Sequence, residues 1–156
     1  MLAELARASG MRGMCGGQAL DIDATGGAAI SVDELERLHA MKTGALLRAS
    51  VRLGAIAAGV DLTTQARLDV FADALGLAFQ VRDDLLDVEG DSASLGKTAG
   101  KDAAQQKATF PALLGLDATR ARLAALSDAM RDALAPFGAQ ADALAALGRA
   151  AVERKH

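Results

Sequence analysis

Phe79-Gln80-Val81-Arg82-Asp83-Asp84-Leu85-Leu86-Asp87 lies late in a long run whose apolar residues recur at helical spacing. Leu68, Phe71, Ala72, Leu75 and Ala78 precede it, so the period predicts one helix down to Asp87 and Val88. Glu89-Gly90-Asp91-Ser92 reads as its end. On that helix Asp83 and Asp87 share a face one turn apart, and Asp84 points to the side. Like charges stacked at i, i+4 destabilise an isolated helix slightly. Two readings of the triplet are open. It is a solvated helix face, which DDxxD alone favours, or it is a set of oxygen ligands for a hard divalent cation. Magnesium binds one or two carboxylates and fills the rest of its shell with water and substrate phosphates. The apolar flanks Phe79, Val81, Leu85 and Leu86 favour the second reading. They predict a helix largely buried around the acids, and a buried acidic cluster needs a partner.

The composition fits a helical frame for this stretch. The chain has 156 residues, enough for one domain with a real core. Hydrophobic residues make up 51% but aromatics only 3%, so the apolar content is mostly Ala and Leu, both strong helix formers. With 2 Pro in the chain, the expected class is all-α. The 16 glycines point to close helix contacts, loops, or both. A net charge of −3, with no basic stripe and no aromatic platform, argues against a nucleic-acid partner. Lysines cluster only locally, which suits a small anion. The single cysteine, Cys15, fits a reducing, cytoplasmic compartment. Charges break each apolar run before it reaches spanning length, so no membrane insertion is expected, and the N-terminus lacks a signal-peptide pattern.

Upstream, Met1 to Ser9 reads as the end of a helix that starts without a capping residue. Gly10 to Gly27 is glycine-rich, yet Met14 to Ile22 is compatible with a helix if its small residues meet another backbone closely. Gln18 and Asp21 share a face there, and their spacing alone reads as a polar edge. Ser31-x-x-Glu34 is a capping box that opens a helix from Val32 to about Ala58. Lys42 and Thr43 sit near its middle, where they read by default as a surface lysine and a tolerated β-branched residue. Arg48 and Arg52 read as a solvated face, and His39 as a structural histidine. Gly59 ends the helix, and Asp61 or Thr63 caps the next.

Downstream, Ser92 to Gln106 reads as a loop with lysines at Lys97 and Lys101, and Lys107 just beyond it. It is an ordinary surface loop, or a flap that closes over a phosphate beside the acidic helix. Thr109 caps a short helix with Pro111 in its first turn, Gly115 ends it, and Asp117 caps the next, which runs to about Leu134. Pro136 and Gly138 break the chain before a last helix and a basic tail, Arg154-Lys155. These C-terminal helices show no chemistry and read as packing elements.

Taken together, GMCGGQALD (13–21), LHAMKTGALLRAS (38–50), FQVRDDLLD (79–87), LGKTAGKD (95–102) and KATFPALLGL (107–116) resemble the bacterial farnesyl-type members of the trans-isoprenyl (polyprenyl) diphosphate synthases. The resemblance implies the C-terminal part of an isoprenoid-synthase helical bundle. It also implies a prenyltransferase joining isopentenyl diphosphate to an allylic diphosphate, with geranyl extended to farnesyl diphosphate. Asp83 would be the main magnesium ligand, supported by Asp84 and Asp87. Lys42 and Lys97 would pair with diphosphate oxygens, Thr43 and Gln80 would hydrogen-bond near the ionising carbon, and Lys101 with Asp102 would belong to a flap. Gln18 and Asp21 match a polar stretch on a cavity helix. Family members are homodimers. Only one of the family's two aspartate-rich motifs is found here, and residues 1–156 are therefore expected to form a partial synthase domain, the C-terminal half. Such a chain is expected not to condense the substrates alone. The alternative is a non-catalytic helical fragment or partner subunit. A terpene cyclase is disfavoured, since DDLLD stands where that family carries an Asn/Ser/Glu pattern.

Overall fold

The computed structural model describes residues 1–25, 29–93 and 108–155. Among them every regular element is helical, as the composition predicts. In order these are α1 (Leu2–Ser9), α2 (Met14–Ala24), α3 (Val32–His39), a π-helical turn (Ala40–Gly44), α4 (Ala45–Ala58), α5 (Leu62–Ala93), α6 (Phe110–Leu114), α7 (Leu116–Leu134), a 3₁₀ segment (Ala135–Ala141) and α8 (Asp142–Glu153). No helix of the described residues is long and apolar enough to cross a membrane.

The 32-residue α5 is the axis of the bundle. Helices α7 and α4 pack along it, and α3, α6, α8 and the π-helical turn close around the remainder. Its buried residues Phe71, Ala74, Leu75, Ala78, Val81 and Leu85 follow the i, i+3, i+4 rule and form one stripe. Phe71 and Phe110 are fully buried there, with Leu35 of α3 and Leu123, Leu126 and Met130 of α7 in the same core. Each such side chain contributes roughly 1.5–3 kcal/mol by leaving water.

Several element ends form for the reasons read from the sequence. Glu34 Oε2 accepts from Ser31 N at 2.7 Å and Ser31 Oγ accepts from Glu34 N at 3.2 Å, which completes the capping box. Asp61 Oδ1 accepts from Thr64 N at 2.7 Å, and Thr109 Oγ1 accepts from Ala112 N. Gly59 adopts a left-handed φ of 67° and stops α4. Three boundaries differ from expectation. Helix α5 runs to Ala93, past Glu89-Gly90-Asp91-Ser92, because one glycine costs a long packed helix only about 1 kcal/mol. Helix α7 starts at Leu116 with no side-chain cap, and Asp117 lies inside its first turn. The helix expected from Val32 to Ala58 is interrupted at its centre by the π-helical turn.

Close backbone contacts flank that turn. A Cβ on Gly17 would lie 2.3 Å from Lys42 N, and a Cβ on Gly76 would lie 2.8 Å from Gly44 Cα. The turn is wedged between α2 and α5, and only glycine on each side allows it. Local spacing carries no trace of this, since both contacts are long-range.

The solvated face expected for Arg48 and Arg52 is also overturned. Arg52 grips Asp69 of α5 with two bonds of 2.6 Å and reaches Glu4 of α1 at 3.2 Å. Arg48 lies 3.4 Å from Asp69 and 3.5 Å from Asp73. Hydrogen bonding from Arg52, with Arg48 adding to it, brings the Asp69 carboxyl down to about 2. Burial pushes the Asp73 carboxyl up. The group ties α1, α4 and α5 together.

Candidate functional site

A cleft of about 280 Å³ opens between α2, α3, the π-helical turn and the second half of α5. Asp21 and Ala24 line it from α2, Leu35, Leu38 and His39 from α3, and Lys42 from the turn. Gln80, Asp83, Asp84 and Asp87 line it from α5, with Ala108 at the start of the α6 segment. Residues read separately along the sequence thus share one wall.

Each has a distinct environment. Lys42 Nζ donates to Asp21 Oδ2 at 2.7 Å. An extra residue in a helical turn rotates the side chains that follow, and π-helical turns recur at functional sites for that reason. Here Lys42 and Thr43 lie in the turn, so Lys42 reaches the cleft while the Thr43 hydroxyl donates to Gln80 Oε1. That bond uses the Gln80 carbonyl and leaves its amide nitrogen as the donor for the cleft. The surface lysine and tolerated threonine of the local reading are therefore a cleft residue and its neighbour's anchor.

The three aspartates divide as their spacing suggests. Asp84 is buried at 6% exposure, and its Oδ2 accepts from Phe110 N at 2.8 Å. It thereby meets a donor at the positive end of α6. Asp83 Oδ1 lies 2.5 Å from Arg154 Nη2. Asp87 has no ion pair or hydrogen bond among the described residues. His39 stacks at a tilt on Phe110, with ring centroids 5.7 Å apart.

Local sequence signals do not single out two participants. By spacing Asp21 and Gln18 read as a polar edge and by resemblance as part of a cavity helix; Asp21 lines the cleft, whereas Gln18 is exposed and does not. Arg154 was read as part of a tail without chemistry, but it contacts Asp83. The GMCGGQALD resemblance was the only signal for Asp21, and nothing local pointed to Arg154. Lys97, Lys101 and Asp102 lie outside the described residues.

Four carboxylates and one lysine give the cleft an excess of negative charge and an all-oxygen acidic donor set, which suits a hard divalent cation. Among the described residues no three acidic, His or Cys side chains converge as a ready-made metal cage. Magnesium fits such a wall, because it uses few protein ligands and completes its shell with water and phosphate oxygens.

The polyprenyl synthetase family model matches residues 3–144. Farnesyl diphosphate synthase of Escherichia coli K12 is 51% identical over 159 aligned positions, covering 99% of this chain and 52% of the relative. A polyprenyl synthase from Caulobacter crescentus CB15, solved with calcium and isoprenyl diphosphate, superposes with a TM-score of 0.86 at 31% identity, over 99% of this chain and 59% of that one. A geranyltransferase from Helicobacter pylori, solved with magnesium and isoprenyl diphosphate, gives 0.77 at 31% identity, over 97% and 49%. The chain spans about half the length of the curated relatives it matches.

Proposed function

The chain belongs to the polyprenyl synthetase family, and from that premise we propose that its cleft is one wall of a magnesium–diphosphate site for prenyl transfer. The substrates are an allylic diphosphate and isopentenyl diphosphate, and the favoured reaction extends geranyl to farnesyl diphosphate. The observation that carries this reading is that Lys42, Gln80, Asp83, Asp84 and Asp87 all line one cleft whose charge calls for a hard cation.

Magnesium, when bound, supplies positive charge to the departing diphosphate and so eases cleavage of the allylic C–O bond. Asp83 and Asp87 would hold it, and Asp84 would support it from its place against Phe110. Lys42 would exchange Asp21 for a diphosphate oxygen and neutralise charge that grows as the bond breaks. Thr43 would fix the Gln80 amide so that its nitrogen donates toward the leaving group. Lys97 and Lys101 would add cations to the diphosphate, as the resemblance implies. Once pyrophosphate has left, the isopentenyl double bond would attack the allylic cation to form the new C–C bond head to tail. The proton lost from the isopentenyl unit as its new double bond forms would go to pyrophosphate, with no His or Cys as base.

Calorimetry with inorganic pyrophosphate tests the site. Binding should require magnesium and be lost in Asp83→Ala. Equal binding by that variant would overturn the metal-site reading. The same reading has the chain working as a homodimer, checked by light scattering. It also keeps turnover distinct from binding, since these residues carry one of the family's two aspartate-rich motifs. Condensation of isopentenyl with dimethylallyl diphosphate by the purified chain would contradict the expectation that it is inactive alone.

A further inference from the structure

Arg154 follows the last residue of α8, and its backbone is extended. It docks on one face of α5, where Phe79, Arg82 and Asp83 sit at i, i+3 and i+4. Arg82 grips its backbone, donating from Nε at 3.0 Å and from Nη2 at 2.9 Å to the Arg154 carbonyl. The Arg154 guanidinium lies 3.8 Å above the centroid of the Phe79 ring. Nη2 donates to Phe79 O at 2.8 Å and to Asp83 Oδ1 at 2.5 Å. Only one of these contacts involves Asp83. The guanidinium is therefore held in place by the ring, the carbonyl and Arg82 before it meets the carboxylate.

Asp83 lines the cleft, and Arg154 is not among the lining residues. Arg154 thus engages Oδ1 without lining the cleft, and Oδ2 has no partner among the described residues. We propose that Arg154 is the positioning residue for Asp83. It fixes the rotamer of a carboxylate meant to hold a divalent cation, from a seat on α5 that does not depend on the cation. This inference rests on the metal–diphosphate reading given above.

The physical argument has a definite sign. Residues behind a metal ligand orient it, and their loss commonly weakens metal binding about 10- to 100-fold. A guanidinium also repels a cation. If repulsion or competition for Asp83 dominated, removing Arg154 would tighten binding.

The test counts free Mn²⁺, a paramagnetic stand-in for magnesium, by EPR during titration of the chain with inorganic pyrophosphate present. Arg154→Met keeps a stem over Phe79 and removes the fork, and it should weaken Mn²⁺ binding about tenfold. Arg154→Lys, which keeps the charge, should lose less and so rescue part of the effect. In an Asp83→Asn background Arg154→Met should cause no further loss. Unchanged or tighter binding in Arg154→Met overturns the proposal, as does an equal loss with and without Asp83. Should Arg154→Met fail to fold, as judged by far-UV circular dichroism, Arg154→Lys carries the same comparison at smaller size. If wild type binds no Mn²⁺, or Asp83→Ala binds as wild type does, the site reading fails and this inference with it. If Asp83→Ala loses binding while Arg154→Met keeps it, only the inference fails.

Discussion

Helix α5 carries two acidic groups at helical spacing, Asp69 with Asp73 near its start and Asp83, Asp84 and Asp87 toward its end. In sequence both are carboxylates stacked one turn apart, and spacing alone does not tell a solvated face from a cation site. In the folded chain the first group is neutralised by the protein's own arginines. Arg52 clasps Asp69 through two bonds of 2.6 Å, and Arg48 lies near Asp69 and Asp73. The second group is neutralised only in part. Arg154 takes one oxygen of Asp83, the Phe110 N–H takes one oxygen of Asp84, and Asp87 meets no charged partner among the described residues. The first group ends its interactions inside the fold, whereas Asp87 of the second meets no partner among the described residues. Acid spacing therefore does not separate scaffold from site. What separates them is how much of the charge the fold itself consumes.

The sharpest way to break this contrast is a crossed pair of substitutions. Asp83→Ala should lower magnesium-dependent pyrophosphate affinity by about a hundredfold or more, since even residues behind metal ligands are worth 10- to 100-fold. Asp69→Ala should leave that affinity unchanged in the same calorimetric titration. A loss of binding in both variants would erase the distinction. Asp84 stands between the two roles. Asp84→Ala removes the acceptor of a buried N–H and should cost about 1–3 kcal/mol of stability, read from the urea midpoint at constant slope. An unchanged midpoint would mean that the Phe110 contact holds nothing.

Asp69→Ala should cost less, about 1 kcal/mol, because ion pairs that keep contact with solvent are screened. Urea unfolding at low and high salt checks this, and the difference between wild type and variant should shrink as salt rises. The smallest effect is the pH dependence of the same pair. The Asp69 carboxyl is held down to about 2, below its ordinary value of 3.8. Its stabilising contribution is therefore fully present above about pH 4 and is lost as pH falls toward 2. Wild type should lose slightly more stability than Asp69→Asn across that window, and parallel curves would argue against the clasp.

Much of the fold was legible because it is built from local signals. The capping box at Ser31, the left-handed Gly59, the Thr109 cap with Pro111 behind it, and the apolar stripe of α5 all act within a few residues of one another. The family resemblance also pointed to the cleft lysine, the glutamine and the acidic triplet. What could not be read depends on residues far apart. Arg154 meets Asp83 across 71 positions, Thr43 meets Gln80 across 37, and Asp84 meets Phe110 N across 26. The π-helical turn belongs with these, since it is wedged by Gly17 and Gly76 from two other helices.

The sequence by itself determined an all-α chain, its principal helix starts and stops, and the acidic face of α5, because backbone propensity, capping and hydrophobic period are short-range physics. Only the tertiary structure decided which acids are already paired and which face an open cleft. It also brought Asp21 and Arg154 to the acidic wall and turned Lys42 into the cleft. Charge pairing and backbone approach act through space, and their partners are chosen by how helices pack.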